Sequence, residues 1–524
     1  MILPRPLKIF NRPRKQHGAV LMVMLVIVVL GAAAILVNSL SSTGLRIERD
    51  KITVDALVQA KEALIGMALT YSDYPGGLPC PDTNNDGEAN AGGTTGCPQY
   101  IGRLPWKTMG LPDLRDSAGE RLWYTLSRNV RRYDSVRPLN SETTGTLNIT
   151  GTYTANNLMA IVFAPGSPLQ TQSRSATQTA PCTTTDTPPS TEFENMCATN
   201  YLEGSNANLS KEANPVAGIN PNQSYQNANA AIPFNDQLIF ITHDQLFPLV
   251  EKRIAREVKS CLDSYAGAHA NTYPWAVPVT DDNYAGVTNT LFGRLPNSSD
   301  PLVSALLNAL AELQLALNNY SAGDASTVIA LLNAGIALET AAINAHGNQS
   351  ILSSSVTNQV NQTGDKAQNL ANLQGGVTKA EVQSEIDQAN TNLAAVAIWP
   401  ASCAIFSASN PYWADWKRLV FFQMADGYKP GGTGSCTPNI NCLKINGADE
   451  YQAAVIVAGQ QLTGAPARTN PDTTALPTPY LEGINAHTGT SPNIDFESYK
   501  PSDVQYQAVN DLVLCLNGTG NCPP

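Results

Sequence analysis

One uncharged apolar run near the amino terminus constrains this chain more than any other feature. It extends from Ala19 to Val37, nineteen residues without a charged side chain. A helix rises about 1.5 Å per residue, so a helix of this length nearly crosses the roughly 30 Å hydrocarbon core of a bilayer. No other segment of the 524-residue chain is comparable. The run predicts one transmembrane helix over 19–37.

The residues before this run are basic. They include no acidic residue and five basic ones, which are Arg5, Lys8, Arg12, Arg14 and Lys15. Positive charge holds the flank of an apolar helix in the cytoplasm, so the chain after Val37 is expected across the membrane. A secretory signal peptide would have a shorter apolar core followed by a small-residue cleavage site. The pattern predicts a single-pass inner-membrane protein with its carboxyl-terminal part in the periplasm.

A basic leader that ends in Gly18, directly before an apolar helix, resembles the leader of type IV pilins and type II secretion pseudopilins. The resemblance implies that a prepilin peptidase removes residues 1–18 and that the new amino terminus, Ala19, is methylated. It also implies that the helix moves from the membrane into the core of a fibre of pilin or pseudopilin subunits. The apolar positions of this membrane and assembly helix include Val23, Leu25, Leu30 and Val37.

Two residues depart from the family pattern. The usual first mature residue is phenylalanine and the usual fifth is glutamate, whereas this chain has Ala19 and Val23. In the family that glutamate pairs with a neighbouring subunit's terminal ammonium inside the fibre. The absence of this glutamate favours a minor subunit near the fibre tip, and the prediction includes an extracellular fibre tip. The alternative is an uncleaved membrane anchor on an unrelated periplasmic protein.

The charge balance excludes one class of partner. After removal of the leader, 27 Lys and Arg residues remain against 43 Asp and Glu residues. A chain this acidic is a poor candidate for binding nucleic acid through its phosphates.

All ten cysteines follow the apolar run, and an even number there predicts disulfides formed in an oxidising periplasm. Short separations favour four local pairs, with a long-range pair left over, although the sequence alone does not fix the connectivity. The pairs are Cys80 with Cys97, Cys182 with Cys197, Cys436 with Cys442, Cys515 with Cys522, and Cys261 with Cys403.

Helical and strand patterns follow the apolar run. Apolar residues recur at helical spacing from Arg46 to Tyr71, so the amino-terminal helix is expected to continue to about residue 72. A second amphipathic helix is predicted from Asp244 to Tyr265. Strands are predicted after Arg121, over 157–164 and after Phe234, and the region 165–233 is expected to be loop.

The segment 78–127 resembles one found just after the helix in prepilin-like proteins of Gram-negative bacteria. It contains an incomplete calcium-loop pattern, whose candidate ligands are Asp82, Asn84, Asp86 and Glu88. The twelfth position of the loop, where an EF-hand supplies a glutamate, is Gly93. A weak calcium site and an ordinary disulfide-closed loop are both compatible with these residues.

Landmarks in the first half of the chain recur in the same order in the second half. Each copy is preceded by an amphipathic helix, which predicts that one module has been duplicated. The matches are Tyr74-Pro75 with Tyr273-Pro274, Gly102-Arg-Leu-Pro105 with Gly293-Arg-Leu-Pro296, Arg121-Leu-Trp-Tyr with Arg418-Leu-Val-Phe, Met159-Ala-Ile-Val162 with Ala454-Val-Ile-Val457, Tyr201-Leu-Glu-Gly204 with Tyr480-Leu-Glu-Gly483, and Asn235-Asp236 with Asn510-Asp511. A turn role accounts for the two Asn-Asp pairs.

The predicted fold is therefore α+β, with a long amino-terminal helix and two tandem pilin-like modules of helix plus antiparallel sheet. The first module covers 73–243, and the second covers 244–297 and 398–524. Between the parts of the second lies a helical insertion, 298–397, whose leucine stripe includes Leu302, Leu306, Leu310, Leu313 and Leu317. It is either a partner-binding arm or an insertion that packs on itself.

No catalytic motif is present in the sequence. The five histidines are scattered, and H-E-x-x-H, G-x-S-x-G, a Walker loop and paired C-x-x-C are all absent. The prediction is a non-enzymatic minor pilin-like subunit that acts in assembly, tip capping or adhesion. The alternatives are a membrane-anchored periplasmic binding protein for a glycan or surface ligand, and a membrane-anchored periplasmic hydrolase.

Overall fold

The structure is a computed structural model. It describes residues 17–90, 97, 99–131, 138–169, 172–174, 197–207, 223–280, 290–296, 399–400, 402–406, 410, 412–429, 431–438, 440–468, 477–486, 495–498, 502–503 and 508–516, with scattered residues between 313 and 387. Of residues 17–21, 31, 33–43, 223, 404 and 449 only the backbone is described.

One long helix, α1, runs from His17 to Thr70. Its 54 residues correspond to a length of about 80 Å. In its carboxyl-terminal half a stripe of buried residues faces the rest of the protein, consisting of Ala56, Leu57, Ala60, Leu64 and Ala68. The alanines in this stripe allow close approach to the sheet beneath it. The prediction that the amino-terminal helix continues to about residue 72 is confirmed.

Seven strands follow α1 and form the sheets of the first module. Strands β1 to β7 are Ile101–Arg103, Trp123–Leu126, Leu147–Thr150, Ala155–Leu158, Ala160–Ala164, Gln223–Gln226 and Gln237–Ile241. Four of them form an antiparallel sheet in the order β1-β2-β5-β7. The others form a small sheet in the order β4-β3-β6, in which β3 pairs with β4 antiparallel and with β6 parallel.

A second helix, α2, begins the second module and runs from His243 to Ala268. Thr242 and Gln245 form a capping box at its start. A short helix, α3, covers Trp413–Trp416. Strands β8 to β14 are Phe292–Arg294, Val420–Met424, Leu443–Ile445, Ala448–Tyr451, Ala453–Val457, Asp495–Phe496 and Leu512–Leu516.

The second set of sheets repeats the first strand for strand. The larger sheet has the order β8-β9-β12-β14, and the smaller one has the order β11-β10-β13 with the same mixture of antiparallel and parallel pairs. Subtracting seven from each strand number reproduces the order in the first module. The predicted duplication is therefore visible in the topology, and the predicted α+β class with antiparallel sheets is confirmed.

Each large sheet has a helix on one face. In β5, Ala160 and Val162 join the core beneath α1, while Ile161 and Phe163 join a second core on the opposite face. That second core also contains residues of the small sheet and of the Tyr201-Leu202 segment. The first large sheet is thus buried on both faces, which explains why all five residues of β5 are buried.

The two helices lie against each other, and α2 also completes the end of α1. The guanidinium of Arg253 donates from Nη1 to the carbonyl oxygen of Leu69 at 2.7 Å and also to that of Tyr71. These are carbonyls at the end of α1, where no intrahelical donor remains. Glu257 accepts from Arg253 Nε at 2.7 Å and holds the guanidinium in place.

Two strand predictions are wrong in detail. The predicted strand over 157–164 is divided at Met159 into β4 and β5, which belong to different sheets. The division follows from the backbone, because Asn157 has a φ of 57° and the amide of Met159 donates to the carbonyl of Ile241. The predicted loop over 165–233 contains β6, which pairs with β3.

The pairings also correct two of the predicted matches between the copies. Trp123 lies opposite Arg103 and Phe421 lies opposite Arg294, so the match of Arg121 with Arg418 is one residue out of register. Met159 corresponds to Gln452 and not to Ala454. The evidence for this is that their carbonyls accept from equivalent amides, those of Ser127 and Ala425.

Most of the predicted helical insertion, 298–397, lies outside the described residues, as do Leu302, Leu306 and Leu310. Leu313 and Leu317 are helical, and Leu313 is fully buried.

The duplicated glycine of the two Gly-Arg-Leu-Pro segments yields a first prediction. A Cβ on Gly102 would lie 2.6 Å from the carbonyl oxygen of Asp82, and one on Gly293 would lie 2.0 Å from that of Val277. We expect Gly102→Ala and Gly293→Ala each to lower the free energy of unfolding by about 2–4 kcal/mol, because backbone must move in both cases.

The matched control for these variants is Gly66→Ala in α1, where a Cβ meets nothing within 4 Å. This change should raise stability by up to about 1 kcal/mol. Urea titrations of the full chain measure all three variants. Equal stability of Gly102→Ala and Gly66→Ala would contradict the inference that a Cβ at Gly102 has no room.

Candidate functional site

The residues predicted to act in processing and assembly lie in the first part of α1. Gly18 and Ala19 are helical. Val23, Leu25 and Leu30 are 59%, 62% and 63% exposed. They belong to an unbroken series of nine exposed apolar residues, 22–30. Val37 is also helical, and its side chain lies outside the described residues.

Within the described part of the chain, no helix is long and apolar enough to cross a membrane. The predicted span over 19–37 has side chains outside that part, those of residues 19–21, 31 and 33–37. A transmembrane helix there stays a prediction.

The predicted calcium loop folds around the carboxylate of Asp82, which is buried. Its Oδ1 accepts from the amides of Asn84 at 3.0 Å and Asn85 at 2.6 Å, and its Oδ2 accepts from the amide of Gly87 at 2.7 Å. Burial raises the pKa of Asp82 despite these hydrogen bonds. The carboxylate thus organises the turn through main-chain donors.

The other predicted ligands lie nearer the surface. Asn84 donates to Oδ2 of Asp86 at 2.8 Å, and Oδ1 of Asp86 accepts from the amide of Glu88 at 2.7 Å. The side chain of Glu88 is exposed. Among the described residues, no group of three or more His, Cys, Asp or Glu side chains is placed to hold a metal ion. The loop brings Asp82, Asn84 and Asp86 together, and calcium binding there stays a prediction.

Two of the predicted disulfides are present, Cys80–Cys97 and Cys436–Cys442. Cys197 and Cys515 are also disulfide-bonded. Their predicted partners, Cys182 and Cys522, lie outside the described residues.

The predicted disulfide between Cys261 and Cys403 is not formed, since both cysteines are free and buried. Their thiols lie close enough to influence each other's ionisation, and burial raises the pKa of both. Cys261 is fixed within α2, and Cys403 precedes a short 3-10 helix whose Phe406 stacks on Trp399 at 4.1 Å. The prediction placed the two residues together correctly but was wrong about the bond.

A cluster that the sequence did not predict joins Glu203 to Asp236. The amides of Asn235 and Asp236 each donate to Oε2 of Glu203 at 3.0 Å. In return, Oδ2 of Asp236 accepts from the amide of Glu203 at 3.0 Å and from Nδ2 of Asn206 at 2.9 Å. Both carboxyl groups are more than nine-tenths buried. We call Glu203 and Asp236 the first carboxyl pair.

The second module contains an equivalent carboxyl pair, Glu482 and Asp511. Oδ2 of Asp511 accepts from the amide of Glu482 at 3.0 Å and from Nδ2 of Asn485 at 3.1 Å. Oε2 of Glu482 accepts from the amide of Asn510 at 3.4 Å. In both modules the pair joins the Tyr-Leu-Glu-Gly segment to the start of the last strand of the large sheet.

An arginine completes each cluster. Arg174 donates to the carbonyls of Gly166 at 2.7 Å and Asn200 at 2.7 Å, and it lies over the ring of Tyr201. Arg468 repeats this arrangement with the carbonyls of Gly459 at 3.0 Å and Pro479 at 2.8 Å, and it lies over the ring of Tyr480. Each arginine therefore fixes the segment that carries the glutamate of the pair.

Two buried carboxyl groups side by side share a proton more easily than both ionise. Burial and the neighbouring Glu203 raise the pKa of Asp236 well above its usual value. Burial and the charge of Asp511 raise the pKa of Glu482 to about 8, and burial raises that of Asp511 to about 6. Such a pair can transfer a proton, but Oε2 of each glutamate and Oδ2 of each aspartate already accept main-chain hydrogen bonds across the pair. The arrangement is therefore suited to holding two segments together.

A cleft of about 320 Å³ borders the first carboxyl pair. Glu203 and Gln172 form part of its wall, and Oε1 of Glu203 accepts from Nε2 of Gln172 at 2.8 Å. The remaining wall is mostly apolar, consisting of Leu169, Thr199, Leu202, Gly204, Ala207, Ile232 and Pro233. A small, largely apolar group with one hydrogen-bond donor would fit this composition.

The sequence contained a signal for these clusters. The glutamate of Tyr-Leu-Glu-Gly and the aspartate of Asn-Asp recur together in both copies. A turn role for the Asn-Asp pair leaves the glutamate unexplained, whereas a contact between the two accounts for both. Arg174 and Arg468 lie at different distances from their Tyr-Leu-Glu-Gly segments, and their equivalence becomes visible only in the structure.

The second carboxyl pair predicts an unusual pH dependence. The pKa of Glu482 is raised on folding, so the stability it contributes is fully present below about pH 4.5 and is lost as the pH rises through about 8. Glu482→Gln imitates the protonated acid. We expect its free energy of unfolding, relative to the wild type, to increase by about 2 kcal/mol between pH 5 and pH 9.

Urea titrations of the full chain at pH 5, 7 and 9 measure this difference. The control is Glu450→Gln, which removes an exposed carboxylate from the same module. A Glu482→Gln variant whose stability follows that of the wild type at every pH would show that the pair is not proton-linked.

Comparisons with known proteins add nothing to this geometry: no protein-family model, no curated protein and no solved structure matches the chain.

Proposed function

We propose that the protein is a non-enzymatic minor subunit of a type IV pilus or type II secretion type fibre. The observation that carries the proposal is the series of nine exposed apolar residues, 22–30, each between 53% and 73% exposed. These residues lie on the same helix whose other half is packed into the globular part. One helix thus combines an uncovered apolar end with a firmly attached head.

An apolar surface of this kind requires a cover, because its exposure to water is unfavourable. The cover in our proposal is the inner membrane before assembly and the helices of other pilin or pseudopilin subunits afterwards. The basic leader ending in Gly18 supports processing by a prepilin peptidase, and the missing glutamate at Val23 supports a minor position, near the tip.

The disulfides support a periplasmic location for the head. Cys80–Cys97 and Cys436–Cys442 are the kind of bonds that form and persist in an oxidising compartment. In the proposed arrangement the single transmembrane helix crosses the inner membrane, and two tandem pilin-like modules project from it to assist assembly, cap the fibre or adhere.

The cleft beside Glu203 favours one second candidate, a membrane-anchored periplasmic binding protein, and its mostly apolar wall suits a small apolar surface ligand better than a glycan. This alternative shares the anchor but needs no cleavage after Gly18. A head that binds a small surface ligand in this cleft while its amino terminus stays intact would favour it over the fibre subunit.

The first test of the proposal is processing. We expect the membrane-extracted protein to lose residues 1–18, and to carry a methylated Ala19, only when a prepilin peptidase is expressed with it. Intact mass and amino-terminal sequencing measure both changes. An unchanged amino terminus in the presence of an active peptidase, with a known prepilin cleaved in the same cells, would rule out the fibre subunit.

The second test concerns the exposed apolar residues. We expect Leu25→Lys to reduce incorporation into fibres at least tenfold, because a charge on this surface must be covered by lipid or by apolar helices. The matched control is Leu249→Lys, the same change at a 43% exposed position on α2. Quantitative blotting of sheared fibres measures incorporation. Equal incorporation of both variants would contradict the assembly role of this surface.

A further inference from the structure

Four consecutive residues of the first module, 139–142, insert into the second module, and we call them the peg. The amide of Leu139 donates to Oδ2 of Asp415 at 3.2 Å, and Nδ2 of Asn140 donates to the carbonyl of Asp415 at 2.7 Å. The peg therefore begins with two hydrogen bonds to α3.

The other two peg residues contact α2 and the loop after β12. The carbonyl of Ser141 lies 2.9 Å from Nε2 of His243. Oε1 of Glu142 accepts from the amide of Gln461 at 2.9 Å and forms an ion pair with Arg468. This is the arginine that also holds the second carboxyl pair. All four residues of the peg thus bridge the two modules.

The floor beneath the peg consists of buried acids. Glu251 of α2 is 2% exposed, and Asp511 is fully buried. In the described part of the chain, Oε1 of Glu251 and Oδ1 of Asp511 accept no hydrogen bond. An ionised carboxylate needs donors at both oxygens when it is buried, so these two oxygens favour protonated groups.

The first module has different residues and contacts at the corresponding place. The face of α1 there presents Thr53, which shares a 3.1 Å hydrogen bond with Ser117 of the module's own loop. In the same loop, Asp116 accepts a hydrogen bond from the amide of Gly166 at 2.8 Å, and Glu120 forms an ion pair with Arg174 at 3.3 Å. A buried acid on the helix, Glu251 where α1 has Thr53, is therefore particular to the boundary between the modules, whereas Asp236 of the first module is buried like Asp511.

The charged and titratable groups around Glu251 come from three elements. His243 and Asp244 lie on its own helix, Asp511 lies at the start of β14, and the peg contributes Ser141. Burial opposes the ionised form of Glu251 most strongly, and the two aspartates oppose it further, whereas the Ser141 hydroxyl and His243 favour it.

We propose that the peg and its floor form a pH-dependent joint, which is closed at mildly acidic pH and loosens as the pH rises above neutral. Ionisation of Glu251 beside Asp511 places two negative charges where their oxygens have too few donors. Loosening of the peg admits water and relieves this cost. The joint does not depend on whether the protein enters a fibre.

Three titratable groups at the joint, Glu251, Asp415 and His243, have a raised pKa. Burial raises the pKa of Glu251 to about 7 and that of Asp415 to about 6. Burial opposes protonation of His243, but its hydrogen bonds to Asp244 and Ser141 raise its pKa overall. Every raised pKa adds stability at low pH that is lost as the pH rises through it, so all these groups favour the closed joint between about pH 5 and 6.

Hydrogen exchange of the full chain in detergent tests the joint. The amides of Leu139 and Gln461 donate across it, so they report on its opening. We expect their protection factors, corrected for the intrinsic effect of pH, to fall about tenfold between pH 5.5 and pH 8.5. Peptides from β5 and β12 should keep their protection. An equal loss in β5 and β12 would mean global unfolding and would overturn the proposal.

Glu251→Gln supplies the decisive variant, because it keeps the size of the side chain and cannot ionise. We expect protection at Leu139 and Gln461 in this variant to change less than threefold over the same pH range. Asp263→Asn, which removes a partly exposed acid paired with Lys259 on the same helix, should behave like the wild type. Should Glu251→Gln not fold, Asp511→Asn is expected to show the same reduced dependence. A loss of protection as large as in the wild type, in whichever variant folds, would overturn the proposal.

Discussion

Burial of the large sheets on both faces is the constraint from which the rest of the structure follows. Every residue of β5 and of β12 is buried, so each sheet requires a helix on one side. In the first module, the cover on the other side includes the small sheet and the segment that contains Tyr201 and Leu202. This segment brings Glu203 into the interior, and a buried carboxylate needs partners. The amides of Asn235 and Asp236, just before β7, supply them, and the carboxyl group of Asp236 accepts in turn from the amide of Glu203. The carboxyl pair is thus a consequence of closing the sheet.

The sequence predicted the architecture better than the registers. The order of repeated landmarks was sufficient to recognise two equivalent modules, because duplicated segments keep their sequence order. Matching by residue type misaligned two strands. It aligned Arg121 with Arg418, whereas strand pairing places Trp123 and Phe421 opposite the equivalent residues Arg103 and Arg294. Register depends on main-chain pairing with a neighbouring strand, and a single residue type does not encode it.

The candidate sites show the same difference between local and distant information. The local disulfide Cys80–Cys97 could be predicted from its short separation, and the proximity of Cys261 and Cys403 by elimination. Whether the last two are bonded depends on how α2 and the segment after the insertion place the sulfur atoms. The floor of the joint could not be predicted from the sequence, because Glu251 and Asp511 are 260 positions apart and the repeated Asn-Asp pair that contains Asp511 gives no link to Glu251.

The continuity of α1 has a geometric consequence for the whole molecule. An α-helix turns by about 100° per residue, so the direction in which the head faces is fixed relative to the exposed apolar residues 22–30. The angle between the two ends of the helix is therefore fixed. A neighbouring molecule that binds the amino-terminal end of α1 always faces the same side of the head. One residue more or less between the two ends would turn the head by more than a quarter of a circle while leaving every contact within it intact.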